Sequence, residues 1–160
     1  MVLCLLVLLC VFTDGAGTLQ WPEHVLCDTS QTQLTYTSCD PFQDVGFTIN
    51  NCPVRQSGKT NIKLKVSLLL RHSIEELFLS VDVSAVDHGV EHHLFMYPET
   101  LCLRSLQRFT FCGRRRGELM NQDWPVDLKV ELKGHYKAQL RLVNQDADLI
   151  ACANITLNLK

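Results

Sequence analysis

Apolar and polar residues alternate with a period of two through most of this chain. Ile62, Leu64, Val66, Leu68 and Leu70 interleave with Lys63, Lys65 and Ser67. Leu77, Leu79, Val81, Val83 and Ala85 alternate with Phe78, Ser80, Asp82 and Ser84. Further on, Val126, Leu128, Val130 and Leu132 alternate with Asp127, Lys129, Glu131 and Lys133. After the turn Lys133-Gly134-His135, the pattern resumes with Tyr136, Ala138, Leu140 and Leu142, which predicts a hairpin. Period two sends successive side chains to opposite faces, so each run predicts a strand with one wet and one apolar face.

A last strand is predicted from Leu149 to Leu157, and shorter ones over residues 24–28, 34–38, 45–50, 92–97 and 107–111. Ser73-Ile74-Glu75-Glu76 resembles a helix start but is read as one turn between two strands. Many short strands with almost no helical periodicity predict an all-β antiparallel sandwich or barrel. Ordinarily the inner faces of a sandwich fill one another at about 10 Å separation. If the sheets splay, the same residues line a cavity, and periodicity does not separate the two cases.

The N-terminus departs from this pattern. Residues 2–12 are an unbroken apolar run, followed by the small-residue stretch Asp14-Gly15-Ala16-Gly17. This reads as a secretory signal peptide over residues 1–17, leaving a mature domain over residues 18–160. The apolar run is too short for a membrane-spanning helix, which needs about 20 residues. The expected product is therefore secreted, and on that route the six cysteines outside the leader (Cys27, Cys39, Cys52, Cys102, Cys112, Cys152) form three disulfides. Six cysteines allow 15 pairings, and spacing alone does not choose among them.

A net charge of −2 argues against a general nucleic-acid binder, which carries a strong basic excess. Gly58-Lys59-Thr60 looks like the end of a phosphate-binding loop, but Pro53 stands where that motif needs glycine. His88, His92 and His93 form one histidine cluster, read as a solvated loop and strand edge rather than a zinc site. No catalytic motif is recognised, and the chain is read as a non-enzyme with no cofactor. Arg114-Arg115-Arg116 is the one dense cationic patch, either a solvated turn or a contact for an anionic headgroup or a partner. Asn154-Ile155-Thr156 is an N-glycosylation sequon, with Asn154 on the solvent face of its predicted strand.

Three strings carry a family resemblance: Tyr-Thr-Ser-Cys-Asp-Pro-Phe-Gln-Asp-Val-Gly-Phe at 36–47, Phe-Cys-Gly-Arg-Arg-Arg-Gly-Glu at 111–118 and Ala-Cys-Ala-Asn-Ile-Thr at 151–156. With the cysteine spacing, they resemble the myeloid-differentiation lipid-recognition (ML) domain family, which includes the lipopolysaccharide co-receptor. The resemblance covers essentially the whole mature chain, from about Trp21 to Lys160.

That resemblance implies an immunoglobulin-like β-sandwich of two antiparallel sheets, splayed to form an apolar lipid cavity. It implies the pairs Cys27–Cys52, Cys39–Cys152 and Cys102–Cys112. Mapped by strand position, the implied lipid-binding lining is Leu34, Phe47, Ile49, Leu64, Val66, Leu68, Ile74, Leu77, Leu79 and Val81, continuing through Val83, Phe111, Leu128, Val130, Leu132, Tyr136, Leu140, Ala151, Ile155 and Leu157. Arg114, Arg115 and Arg116 are expected near the mouth.

The function implied is a secreted co-receptor subunit that holds phospholipid or glycolipid acyl chains. It would bind the leucine-rich-repeat ectodomain of a radioprotective Toll-like receptor homologue, reach the cell surface through it, and modulate lipopolysaccharide responses of B cells. The alternative is a stand-alone secreted lipid carrier or transfer protein. The lysine-rich rim of the lipopolysaccharide co-receptor has no counterpart around residues 91–100, so an ordinary phospholipid is favoured over lipid A.

Overall fold

A computed structural model describes residues 20–52, 60–128 and 134–160. The leader, Val130, Leu132, Pro53 and the Gly58-Lys59 pair lie outside the described residues. Nine strands are described: β1 (His24–Asp28), β2 (Thr32–Ser38), β3 (Gly46–Ile49), β4 (Thr60–Leu69), β5 (Leu77–Asp87), β6 (Val90–Cys102), β7 (Leu119–Leu128), β8 (Gly134–Asn144) and β9 (Leu149–Leu159). They form two antiparallel sheets, a larger one ordered β1-β2-β9-β8-β5-β6 and a smaller one ordered β3-β4-β7. No helix occurs among the described residues, and neither sheet closes into a barrel.

Alternation fixes which face each strand buries. In the larger sheet the inward positions stack in cross-strand rows. Leu34, Leu157, Tyr136 and Ala85 make one row, and Tyr36, Ile155, Ala138 and Val83 the next. Ala153, Leu140, Val81 and Tyr97 follow, then Ala151, Leu142 and Leu79. A one-residue slip would turn every one of these apolar side chains to solvent, which is why the register is well specified.

Two expectations need correction. The hairpin expected across Lys133-Gly134-His135 is not formed among the described residues: β7 pairs with β4 in the smaller sheet, while β8 pairs with β5 and β9 in the larger. Period two identifies a strand but not its neighbour. The strand expected over residues 107–111 is instead a series of bends and turns tethered by the Cys102–Cys112 bond. Ser73-Ile74-Glu75-Glu76, read as a turn between two strands, is an irregular link between β4 and β5.

β6 runs much further than the predicted 92–97. It joins β5 through a two-residue turn, His88-Gly89, with both φ angles positive at 47° and 81°. That conformation matches the twist of the flanking strands, and glycine adopts it without steric penalty.

Among the described residues three disulfides join Cys27 to Cys52, Cys39 to Cys152 and Cys102 to Cys112. These are the pairs that the family resemblance implies. The chain-entropy model assigns about 4.8 kcal/mol to the 113-residue Cys39–Cys152 separation and about 2.7 kcal/mol to the 10-residue Cys102–Cys112 separation.

Candidate functional site: a cleft between the sheets

The site follows from how burial changes along the inward positions. On β5, Leu77 is 0% exposed, whereas Leu79, Val81 and Val83 are only half-buried. On β8, Leu142 and Leu140 are buried, but Ala138 and Tyr136 are not. β9 goes from buried Ala151 and Ala153 to half-buried Ile155 and Leu157, and only its last inward residue, Leu159, is buried again. The smaller sheet repeats the trend, from Leu68 and Val66 to Leu64 on β4 and from Met120 to Trp124 on β7. Five strands thus lose burial in the same direction, away from the end where β4 passes to β5. Apolar side chains that point between two sheets yet still reach solvent are the signature of sheets that part.

The packed end is a true core. Leu70, Ile74, Leu77, Phe111, Met120 and Leu142 are almost fully buried there. The buried Asn144 completes it, its side-chain amide donating to the Ser73 carbonyl at 3.1 Å. Close packing at this end offsets part of the cost of leaving the other end open.

The two sides of the sandwich also differ. β1 and β3 approach each other, whereas among the described residues no Cα of β6 comes within 8 Å of one in β7. Tyr36 closes the first side: its hydroxyl donates to the Val45 carbonyl and accepts from the Phe47 amide, both at 3.0 Å. Its ring stacks on His24 at 4.7 Å and meets Phe47 edge-on at 4.9 Å. Burial pushes the Tyr36 hydroxyl above its ordinary pKa; the Phe47 amide opposes this shift and the Asp44 charge adds to it.

On the second side, the segment between β6 and β7 plugs only the packed half. Phe109 stacks on Phe111 at 5.1 Å, and Phe111 meets Trp124 edge-on at 5.7 Å. Beyond this plug the edge of β6 is uncovered. Phe95 and Tyr97 occupy inward register yet are 53% and 50% exposed, so they form a rim. The Tyr97 hydroxyl donates to Glu99 at 3.0 Å, and that bond holds its pKa above the ordinary value.

The structure divides the expected lining. Leu34, Ile49, Leu64, Leu79, Val81, Val83, Tyr136, Ile155 and Leu157 are half-buried and face the cleft. Phe47, Val66, Leu68, Ile74, Leu77, Phe111 and Ala151 are buried, so they form the floor and wall. Leu140 lies at the transition between the two groups, and Leu128 ends β7. Sequence reasoning missed Phe95, Tyr97, Phe109, Met120 and Trp124. It also missed the alanines Ala85, Ala138 and Ala153, whose small side chains hollow the larger sheet's inner face. Their inward register in otherwise Val/Leu rows is the signal that was available.

The arginine turn is not at the open end. The Ile74 amide donates to the Arg114 carbonyl at 2.8 Å, and the Arg116 amide donates to Ser73 Oγ at 3.1 Å, which fixes the turn against the packed end. The Arg114 guanidinium donates to the Leu119 carbonyl, while Arg115 and Arg116 are exposed. Arg114–Arg116 are therefore not near the mouth, where they were expected.

The histidines also separate. His88 sits at the tip of the β5–β6 turn, His92 lies opposite Ala85 in inward register, and His93 faces outward beside Asp82. No cluster of three metal-ligating side chains occurs among the described residues. Among the described residues no helix is long and apolar enough to cross a membrane.

No family model matches the chain. Lymphocyte antigen 86 of Homo sapiens is 37% identical over 147 residues, covering 91% of this chain and 87% of the relative. The Gallus gallus protein of the same name is 34% identical over 154 residues, covering 95% and 90%. Lymphocyte antigen 96 of Bos taurus is 22% identical over 136 residues, covering 82% and 81%. Among solved structures, chicken MD-1 complexed with lipid IVa aligns with a TM-score of 0.74 at 32% identity, covering 87% of this chain and 98% of that one.

Proposed function

Because the chain belongs to the lymphocyte antigen 86 family, we propose that it is a secreted lipid-binding co-receptor subunit that takes acyl chains between its two sheets. The observation that carries this reading is the shared loss of burial along five inward-facing strands. An apolar cleft of this kind holds acyl chains by removing them from water, at about 0.8 kcal/mol per buried CH₂. The lipid held by the chicken MD-1 structure supports the ligand class.

The lining supplies affinity, and the rim supplies selectivity. Phe95 and Tyr97 offer ring faces and one hydroxyl at the entrance. No lysine or arginine occurs on β6, which lacks a cationic row for paired phosphates. The ligand class that fits is an ordinary phospholipid or a glycolipid with few phosphates.

In this reading residues 1–17 are a cleaved leader, residues 18–160 are the mature domain, and Asn154 carries a glycan. The partner is the leucine-rich-repeat ectodomain of a radioprotective Toll-like receptor homologue, through which the protein reaches the cell surface and tunes B-cell responses to lipopolysaccharide. Exposed Arg115 and Arg116 at the packed end are suited to an acidic patch on that partner, leaving the open end free for lipid. The protein is a binding module, with no catalytic role for any of its residues.

Two measurements test this. Titration with a phosphatidylcholine carrying a fluorescent acyl chain should give saturable binding that unlabelled phospholipid displaces. Co-secretion with the receptor ectodomain should give a complex that survives size exclusion. Binding of lipid without any receptor complex would instead indicate a carrier acting alone.

A further inference from the structure

A second concavity lies on the back of the larger sheet, on the face turned away from the cleft. It is a groove of about 590 Å³ spanning β9, β8, β5 and β6. Its polar lining follows from register. Asn154 stands opposite Gln139, which stands opposite Asp82. Thr156 stands opposite Lys137, then Ser84, then His93. These polar residues hold outward positions of their strands, and Ala138 and Ile155, whose side chains belong to the inward rows, complete the lining between them.

The groove is organised rather than merely polar. Lys137 Nζ donates to Glu91 at 3.0 Å, and His93 Nε2 lies 3.2 Å from Asp82. Lys137 and Ser84 hydrogen-bond Glu91, and these bonds hold its carboxyl below the usual pKa. Ser84 is only 8% exposed although it points outward, so the floor is sheltered. Gln139 Nε2 donates to Asn154 Oδ1 at 3.0 Å, reaching the wall that carries the sequon.

We propose that the N-linked glycan on Asn154 lies in this groove, running from β9 across β8 toward β5, with its first sugars hydrogen-bonded to Gln139, Lys137 and Asp82. The inference rests on the proposed glycosylation of Asn154. Both sequon side chains open onto the groove, so a sugar joined to Asn154 Nδ2 starts at its edge. Two strand spacings from β9 to β5, about 10 Å, give length for a short run of pyranose rings. Alternating amides, carboxylates and an ammonium match the hydroxyl and acetamido groups of such a chain. Tethering makes the contact intramolecular, so individually weak hydrogen bonds suffice to hold it. The seated glycan covers the back of the larger sheet and leaves the cleft and the packed end for lipid and protein.

The test uses the full chain secreted from mammalian cells, with intact mass giving Asn154 occupancy. Peptide-N-glycosidase release from the folded protein is compared between wild type and the double variant Lys137→Ala/Gln139→Ala, both side chains being solvent-exposed. The expected result is release about ten-fold slower from wild type, equivalent to about 1.4 kcal/mol of seating, with equal rates after denaturation. Independently, isotope-labelled N-acetyl methyl groups on wild type should give nuclear Overhauser contacts to Lys137 and Gln139. An occupied Asn154 with equal release rates and no such contacts overturns the seat alone. An unoccupied Asn154 overturns the glycosylation reading and the seat together.

Discussion

The Tyr36 hydroxyl spans the Val45 carbonyl and the Phe47 amide at 3.0 Å each, so one phenol on β2 ties the larger sheet to the strand that opens the smaller one. Its neighbours hold it rigidly, with His24 on one face and Phe47 at its edge. This is the closed side of the sandwich, and the opposite side is free to part because this one is fastened. Replacing Tyr36 with Phe keeps the ring but strands a buried donor and a buried acceptor. The expected loss is about 2–4 kcal/mol of unfolding free energy in urea titration, with the fold retained by circular dichroism.

The same hydroxyl makes stability depend on alkaline pH. Burial raises its pKa above the ordinary value of 10.0. The folded protein therefore holds this proton more tightly than the unfolded chain does. Its contribution is fully present below about pH 10 and is lost as pH rises through the folded pKa. Urea midpoints measured from pH 8 to pH 11 should fall more steeply for wild type than for Tyr36→Phe.

The packed end and the open end should respond oppositely to changes in side-chain volume. Leu142→Ala removes a buried side chain from the floor and should cost about 2–5 kcal/mol, leaving lipid stoichiometry unchanged. Ala138→Phe adds volume at a half-buried inward position between Val83 and Ile155. It should leave stability within about 1.5 kcal/mol of wild type while lowering acyl-chain uptake. Parallel urea and fluorescent-lipid titrations separate the two effects.

The disulfides should rank by the loop each closes. Cys39→Ala/Cys152→Ala should destabilise by about 4.8 kcal/mol and Cys102→Ala/Cys112→Ala by about 2.7 kcal/mol. The second pair has a local consequence as well, because it tethers the segment that brings Phe111 against Trp124. Proteolysis within residues 103–111 should therefore accelerate in that variant alone.

Much of this arrangement was legible in the chain. Strict alternation located β4, β5, β8 and β9 because each faces water on one side and apolar groups on the other. β6 extends past residues 92–97 as a bulged edge strand, and the flanking Val90-Glu91 and Pro98-Glu99-Thr100 carry no alternation that marks them as strand. The run Gln107-Arg108-Phe109-Thr110-Phe111 alternates like a strand, yet the short Cys102–Cys112 loop bends it into a plug whose two phenylalanines stack. Register cannot say which sheet a strand joins, hence the false β7–β8 hairpin. Nor does it locate a turn in space: Arg114–Arg116 owe their position to hydrogen bonds with Ser73 and Ile74, some 40 residues earlier. The splay itself left only a faint trace, in alanines placed where valine or leucine would have filled the gap.

The central claim is that the sheets part to hold lipid, and native mass spectrometry of the secreted protein tests it most directly. Gentle ionisation followed by organic extraction should give discrete adducts that resolve into phospholipid or acylated glycolipid, and Ala138→Phe should reduce them. A mass equal to polypeptide plus glycan, with no uptake when phospholipid vesicles are added, would contradict the account and leave the sandwich as a filled binding surface.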